Sequence, residues 1–98
     1  EFDVGGFYPV TYNNIALGER MKQSLIEATN GNFAEITRRT GAEDFSYFSQ
    51  EIPGLYIFLG VNDPGRLEQA GNHSPYFTVN DDALDEGLKS LVYMTIDY

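Results

Sequence analysis

The sequence predicts an α/β fold, and three observations carry that prediction. Leu55-Tyr56-Ile57-Phe58-Leu59-Gly60-Val61 is apolar at almost every position, the pattern of a strand covered on both faces. Two longer stretches, Ile15 to Thr29 and the one opened by Asn80-Asp81-Asp82, repeat apolar residues at helical spacing. Shorter runs around them complete the order strand, helix, strand, short helix, strand, helix.

Glu1 to Val10 alternates weakly through Phe2 and Val4, then meets Gly5-Gly6 and Tyr8-Pro9. It is expected to be a strand with an extended exit, because a residue before proline is biased away from helix. Asn13-Asn14 offers an N-cap to the first helix, whose apolar stripe is Leu17, Met21, Leu25 and Ala28. Asn30-Gly31 supplies the left-handed residues that end it. Phe33 to Thr37 alternates and is expected to be a short strand, with loop from Arg38 to Ala42. Asp44 to Gln50 then reads as a short helix, stopped by Pro53-Gly54 and capped by Asp44 or Glu43, with Asp44 the favoured cap. A polar loop, Asn62 to Asn72, follows the apolar strand. The last helix aligns Leu84, Leu88, Leu91, Val92 and Thr95. Gly87 within it costs about 1 kcal/mol against alanine, which points to close packing at that position.

A chain of 98 residues is at most one domain and can be part of one. Hydrophobic content of 42% argues against disorder. The net charge of -9 repels phosphate backbones and anionic lipid, so neither nucleic acid nor membrane is an expected partner. The absence of cysteine excludes disulfides, thiolate ligands and a cysteine nucleophile. No apolar run approaches the roughly 20 residues of a membrane span, and no signal peptide pattern is visible, so the cytoplasm is the expected location. The first residue is Glu1 and not methionine, as in a processed or cut-out chain.

His73 is the only histidine. A lone histidine is more often structural than a ligand, but this one follows the loop leaving the carboxyl end of the most buried strand, where open α/β sheets build their sites. Ser74-Pro75 after it would hold the backbone extended and aim the imidazole. A catalytic zinc takes about three protein ligands, and the sequence has no second histidine or cysteine to offer. Glu43 is the next candidate, either as a helix cap or as an acceptor for an imidazole N–H or a group facing substrate.

Gly41-Ala42-Glu43-Asp44-Phe45-Ser46, Pro53 to Gly60, His73-Ser74-Pro75-Tyr76-Phe77 and Asp81-Asp82-Ala83-Leu84, in this order, resemble the C-terminal portion of the metal-dependent amidohydrolases. That family includes N-acyl-amino-acid amidohydrolases, hippurate hydrolases and indoleacetyl-amino-acid hydrolases, and is related to zinc aminoacylases and carboxypeptidases with an inserted lid domain. Tyr8 to Asn14 is similar to the family's return from lid to catalytic domain. The resemblance implies that residues 11–98 are the C-terminal part of a three-layer α/β/α catalytic domain of the zinc-peptidase kind. Residues 1–10 would be the last strand of the lid or dimerisation domain. It implies that His73 is a metal ligand and that Glu43 supports the site or faces substrate. The other ligands and the catalytic general base would lie in earlier parts of the intact chain, so none of the residues here is expected to be catalytic. Also implied are one or two divalent ions, zinc or manganese, an N-acyl amino acid or small peptide as substrate, and a homodimer formed through the lid. These residues alone are expected to be inactive. The alternative is a free-standing, non-catalytic α/β module that binds a protein partner.

Overall fold

The computed structural model describes residues 7–98. The described residues form three helices: α1, Ile15–Ala28; α2, Phe45–Glu51; and α3, Asp82–Asp97. Among the described residues there is no strand, which overturns the α/β expectation and with it the three-layer α/β/α architecture. The expected N-terminal strand falls mostly on residues 1–6, outside the described residues, and Phe7 to Val10 is not a strand. No described helix is long and apolar enough to cross a membrane.

α1 forms where its local signals place it. The Asn14 side chain accepts from the Leu17 amide at 3.0 Å, satisfying one of the donors a helix leaves open at its start. Asn30 and Gly31 take positive φ, 50° and 86°, just past its end. Met21, Leu25 and Ala28 of the predicted stripe are buried. α3 packs along α1, and the two run antiparallel. Ser24 donates to the Asp97 carboxylate at 2.6 Å and Arg20 to the Asp97 carbonyl, while Asn32 beyond the other end of α1 reaches Glu86 near the start of α3.

The Leu55 to Val61 segment shows why an apolar run is not yet a strand. Its side chains do alternate. Leu55 lies 3.8 Å from where a Cβ on Gly18 of α1 would sit, and Leu59 approaches Gly87 of α3 so closely that a Cβ there would stand 2.8 Å from it. Tyr56, on the other face, packs its ring against Phe45 of α2, 5.4 Å between centroids. A strand also needs a neighbour to share its backbone hydrogen bonds. Here the partners are isolated groups: Asn14 N–H donates to the Gly54 carbonyl, Asn80 N–H to the Val61 carbonyl, and the Asn13 side-chain amide pairs with both backbone groups of Tyr56. Phe33 to Thr37 has no neighbour either and lies mostly exposed, tied to α1 by the Lys22–Glu35 ion pair at 2.6 Å.

The expected core stripe of α3 points outward. Leu84, Leu88, Leu91 and Val92 are all exposed, whereas Ser90 is buried and Gly87 meets Leu59. The chain exposes 8377 Å², where a self-contained monomer of this length exposes about 5,600 Å². Its radius of gyration is 15.9 Å against about 12.6 Å for a compact domain.

Candidate functional site

The site is built around the Leu55 to Val61 segment, which ties the Glu43 loop at one end to the His73 loop at the other. At the first end, the loop after Gly41 delivers Glu43 to the start of α2. Its Oε1 accepts from the Phe45 amide at 3.2 Å and its Oε2 from the Tyr56 hydroxyl at 2.8 Å. Glu43 therefore does the capping expected of Asp44, which sits at the helix start in αR geometry and makes no side-chain cap bond. A carboxylate two residues ahead of an open amide reaches it with one oxygen, and the longer glutamate leaves the second oxygen for Tyr56. The Tyr56 hydroxyl, then the Phe45 amide and the Asp44 side chain, hold the Glu43 carboxyl below the usual carboxylate range. The same bond to Glu43, followed by desolvation, raises the Tyr56 phenol above its ordinary value.

At the second end, residues 62–79 form a loop closed by the Asn80 N–H to Val61 carbonyl bond of 2.9 Å and stiffened by Arg66 donating to Thr78. His73 stands in the first of two consecutive turns, closed by Ser74 N–H to the Gly71 carbonyl and followed by Phe77 N–H to the Ser74 carbonyl. The Ser74 hydroxyl oxygen also accepts from the Tyr76 amide. The imidazole is exposed, with no hydrogen bond among the described residues. No hydrogen bond joins His73 to Glu43.

Among the described residues, no three His, Cys, Asp or Glu side chains converge as a metal-holding group. One exposed imidazole is not enough to hold an ion. The described residues by themselves do not fit a metal. Two shallow apolar hollows, about 290 and 230 Å³, lie along the outer face of α3 between Leu91 and Tyr98, away from Glu43 and His73. They carry no ionisable group suited to hydrolysis.

Tyr56 and Asn13 are the site residues that sequence reasoning missed. Two signals pointed to them. A phenol inside an apolar run needs a hydrogen-bond partner when buried, and a helix needs one capping asparagine where the sequence has two.

The chain matches the model of peptidase family M20/M25/M40 over residues 1–97. It is 36% identical over 93 residues to IAA-amino acid hydrolase ILR1-like 4 of Arabidopsis thaliana, covering 94% of this chain and 21% of that protein. It is 34% identical over 91 residues to ILR1-like 2 of the same plant, 92% of this chain and 20% of that protein. Thermostable carboxypeptidase 2 of Saccharolobus solfataricus is 33% identical over 91 residues, 93% of this chain and 23% of that protein. The chain thus spans about a fifth of the length of these relatives. No solved structure matches it. With the Glu43 loop, the apolar segment and the His73 turn all lying inside the matched residues, the chain belongs to peptidase family M20/M25/M40.

Proposed function

We propose that this chain is the C-terminal part of a metal-dependent amidohydrolase, and that the full-length protein cleaves the amide of an N-acyl amino acid or small peptide. The match to the peptidase family over residues 1–97 carries this reading. The relatives support it in kind, since some are named as hydrolases of IAA-amino acids and others as carboxypeptidases. In this reading, residues 1–10 belong to a lid domain through which the protein dimerises, and residues 11–98 to the catalytic domain. His73 supplies one metal ligand, as the neutral imidazole, and the remaining ligands and the general base come from outside these 98 residues. An exposed imidazole on a loop pinned at both ends suits that role, because it is held in place yet open to partners from elsewhere. Zinc suits an imidazole donor, whereas manganese would draw on oxygen ligands from outside these residues.

The test is an assay of the full-length protein on N-acetyl and indoleacetyl amino acids and on dipeptides, before and after chelation. The expected result is release of free amino acid that chelation stops and added divalent metal restores. Failure of the metal-supplemented full-length protein to cleave any of the three substrate classes would overturn the proposal. The 98 residues alone are expected to show no turnover.

A further inference from the structure

We infer that Tyr56 is the positioning residue for Glu43, and that Asn13 in turn fixes Tyr56, so that two residues distant from it in sequence set where the Glu43 carboxylate stands. The inference rests on the proposed reading of Glu43 as a group of the candidate site.

The contacts form one continuous path. Asn13 lies immediately before the residue that caps α1, and its amide exchanges two hydrogen bonds with the Tyr56 backbone, 2.7 Å from Tyr56 N–H to Oδ1 and 2.9 Å from Nδ2 to the Tyr56 carbonyl. That is the two-bond pattern a neighbouring strand would offer one residue. It fixes the Tyr56 backbone against the N-terminus of α1, where the Asn14 N–H to Gly54 carbonyl bond adds a third tie. From this anchored backbone the ring lies between Phe45 and Phe58, 5.4 and 5.5 Å between centroids, which restricts where the hydroxyl can point. The hydroxyl then donates to Oε2 of Glu43, whose Oε1 is already occupied by the Phe45 amide.

A carboxylate gripped at both oxygens has few orientations left. Each oxygen keeps one lone-pair direction open, so Glu43 remains able to accept from an imidazole N–H or a substrate N–H while being unable to swing away. Both existing donors favour the ionised form, so Glu43 is held as a fixed acceptor and is unsuited to delivering a proton at neutral pH. Asn13 thereby gains a function that capping does not need, and the phenol at position 56 gains a reason to be tyrosine and not phenylalanine.

The test uses the full-length protein with Tyr56→Phe, which keeps the ring and removes the hydroxyl, and with Asn13→Asp, which keeps an acceptor for the Tyr56 amide and loses the donor to its carbonyl. Glu43 titration is followed by carbon-13 NMR of labelled glutamate, assigned by its loss in Glu43→Gln, beside kcat/KM for N-acyl amino acid hydrolysis. In Tyr56→Phe the Glu43 titration is expected to move to higher pH and kcat/KM to fall about tenfold, the size seen when a supporting hydrogen bond is lost. Asn13→Asp is expected to move both in the same direction by less. Tyr56→Phe and Glu43→Gln together should lose no more activity than Glu43→Gln alone. An unchanged Glu43 titration in Tyr56→Phe would overturn the inference, and so would additive losses in the double variant. If the wild-type protein cleaves no N-acyl amino acid, the proposed activity fails, and the positioning of Glu43 is then decided by the titration alone.

Discussion

Residues 13–61 and residues 62–98 treat their candidate site residues, Glu43 and His73, in opposite ways. In the first region Glu43 is gripped by the Phe45 amide and the Tyr56 hydroxyl, and the scaffold beneath it is closed: Met21, Leu25 and Ala28 are buried and Asn13 and Asn14 tie α1 to the Gly54–Tyr56 backbone. In the second region His73 is exposed, Leu67 is fully exposed, and α3 turns its Leu84, Leu88, Leu91 stripe to solvent. A group held by its own fold is placed by that fold alone. A group held only by its backbone turns takes its chemistry from whatever meets it. On this comparison, Glu43 is placed by bonds within the fold while His73 waits on what meets it, and the buried positions of α1 carry more of the stability than the exposed stripe of α3.

The largest stability difference is expected between Met21 and Leu88. Met21 is 2% exposed, so Met21→Ala should cost about 2–5 kcal/mol through lost burial and the cavity left behind. Leu88 is 63% exposed, and within this fold Leu88→Ala should change stability by no more than about 0.5 kcal/mol. Urea denaturation of the two variants measures both, and equal losses would erase the distinction between the regions.

Gly87→Ala sharpens the comparison at the seam, where the new methyl would meet the Leu59 side chain at 2.8 Å. The contact is with the end of a 38% exposed side chain that can turn aside, so the net change is expected to stay within about 1 kcal/mol, the shift of Leu59 offsetting the helix propensity alanine gains. A further gain from adding Leu59→Ala would show how much the clash takes back. Asn14→Ala removes the cap on Leu17 and should cost about 1 kcal/mol, read from the shift in denaturation midpoint.

The smallest effect is one of pH. Glu43 is held below the ordinary carboxylate value in the folded chain, first by Tyr56 and then by the Phe45 amide. Its contribution is therefore fully present above the unfolded value, near pH 4.3, and is lost as pH falls through the lower folded value. Glu43→Gln lacks that increment, so the stability gap between wild type and variant should narrow in acid and stay constant above about pH 5. A gap that widens in acid would contradict the assigned hydrogen bonds.

What the sequence made legible was governed by local rules. The Asn14 cap, the Asn30-Gly31 stop, the stripe of α1 and the close approach at Gly87 each depend on residues a few positions apart or on a single missing side chain. The strand expected at Leu55 to Val61 does not form, and only the alternation of its side chains between the α1–α3 face and the Phe45 face matches that expectation. Strand pairing is non-local, and asparagine side-chain and backbone groups from two places, just before α1 and just before α3, stand where a ladder was expected. Reading Asn13-Asn14 as two capping candidates hid the tie from Asn13 to Tyr56. Assigning the α2 cap to Asp44 hid the better reach of Glu43. The α3 stripe was read correctly as a stripe, but spacing alone does not say which way a face turns, and here the small residues Gly87 and Ser90 take the inner side. At the site, the sequence singled out Glu43 and His73 but not the phenol that grips the first of them.

The central claim, that His73 acts on function and not on folding, is tested most directly by His73→Ala in the full-length protein, with hydrolysis of an N-acyl amino acid, bound metal and denaturation midpoint measured on the same preparation. The predicted result is a loss of kcat/KM well beyond about a hundredfold with reduced bound metal and an unchanged midpoint, since loss of His73 in its proposed role as a ligand should exceed the loss of a group that merely supports one. Hydrolysis and metal content equal to wild type, or a collapse of the midpoint, would contradict it.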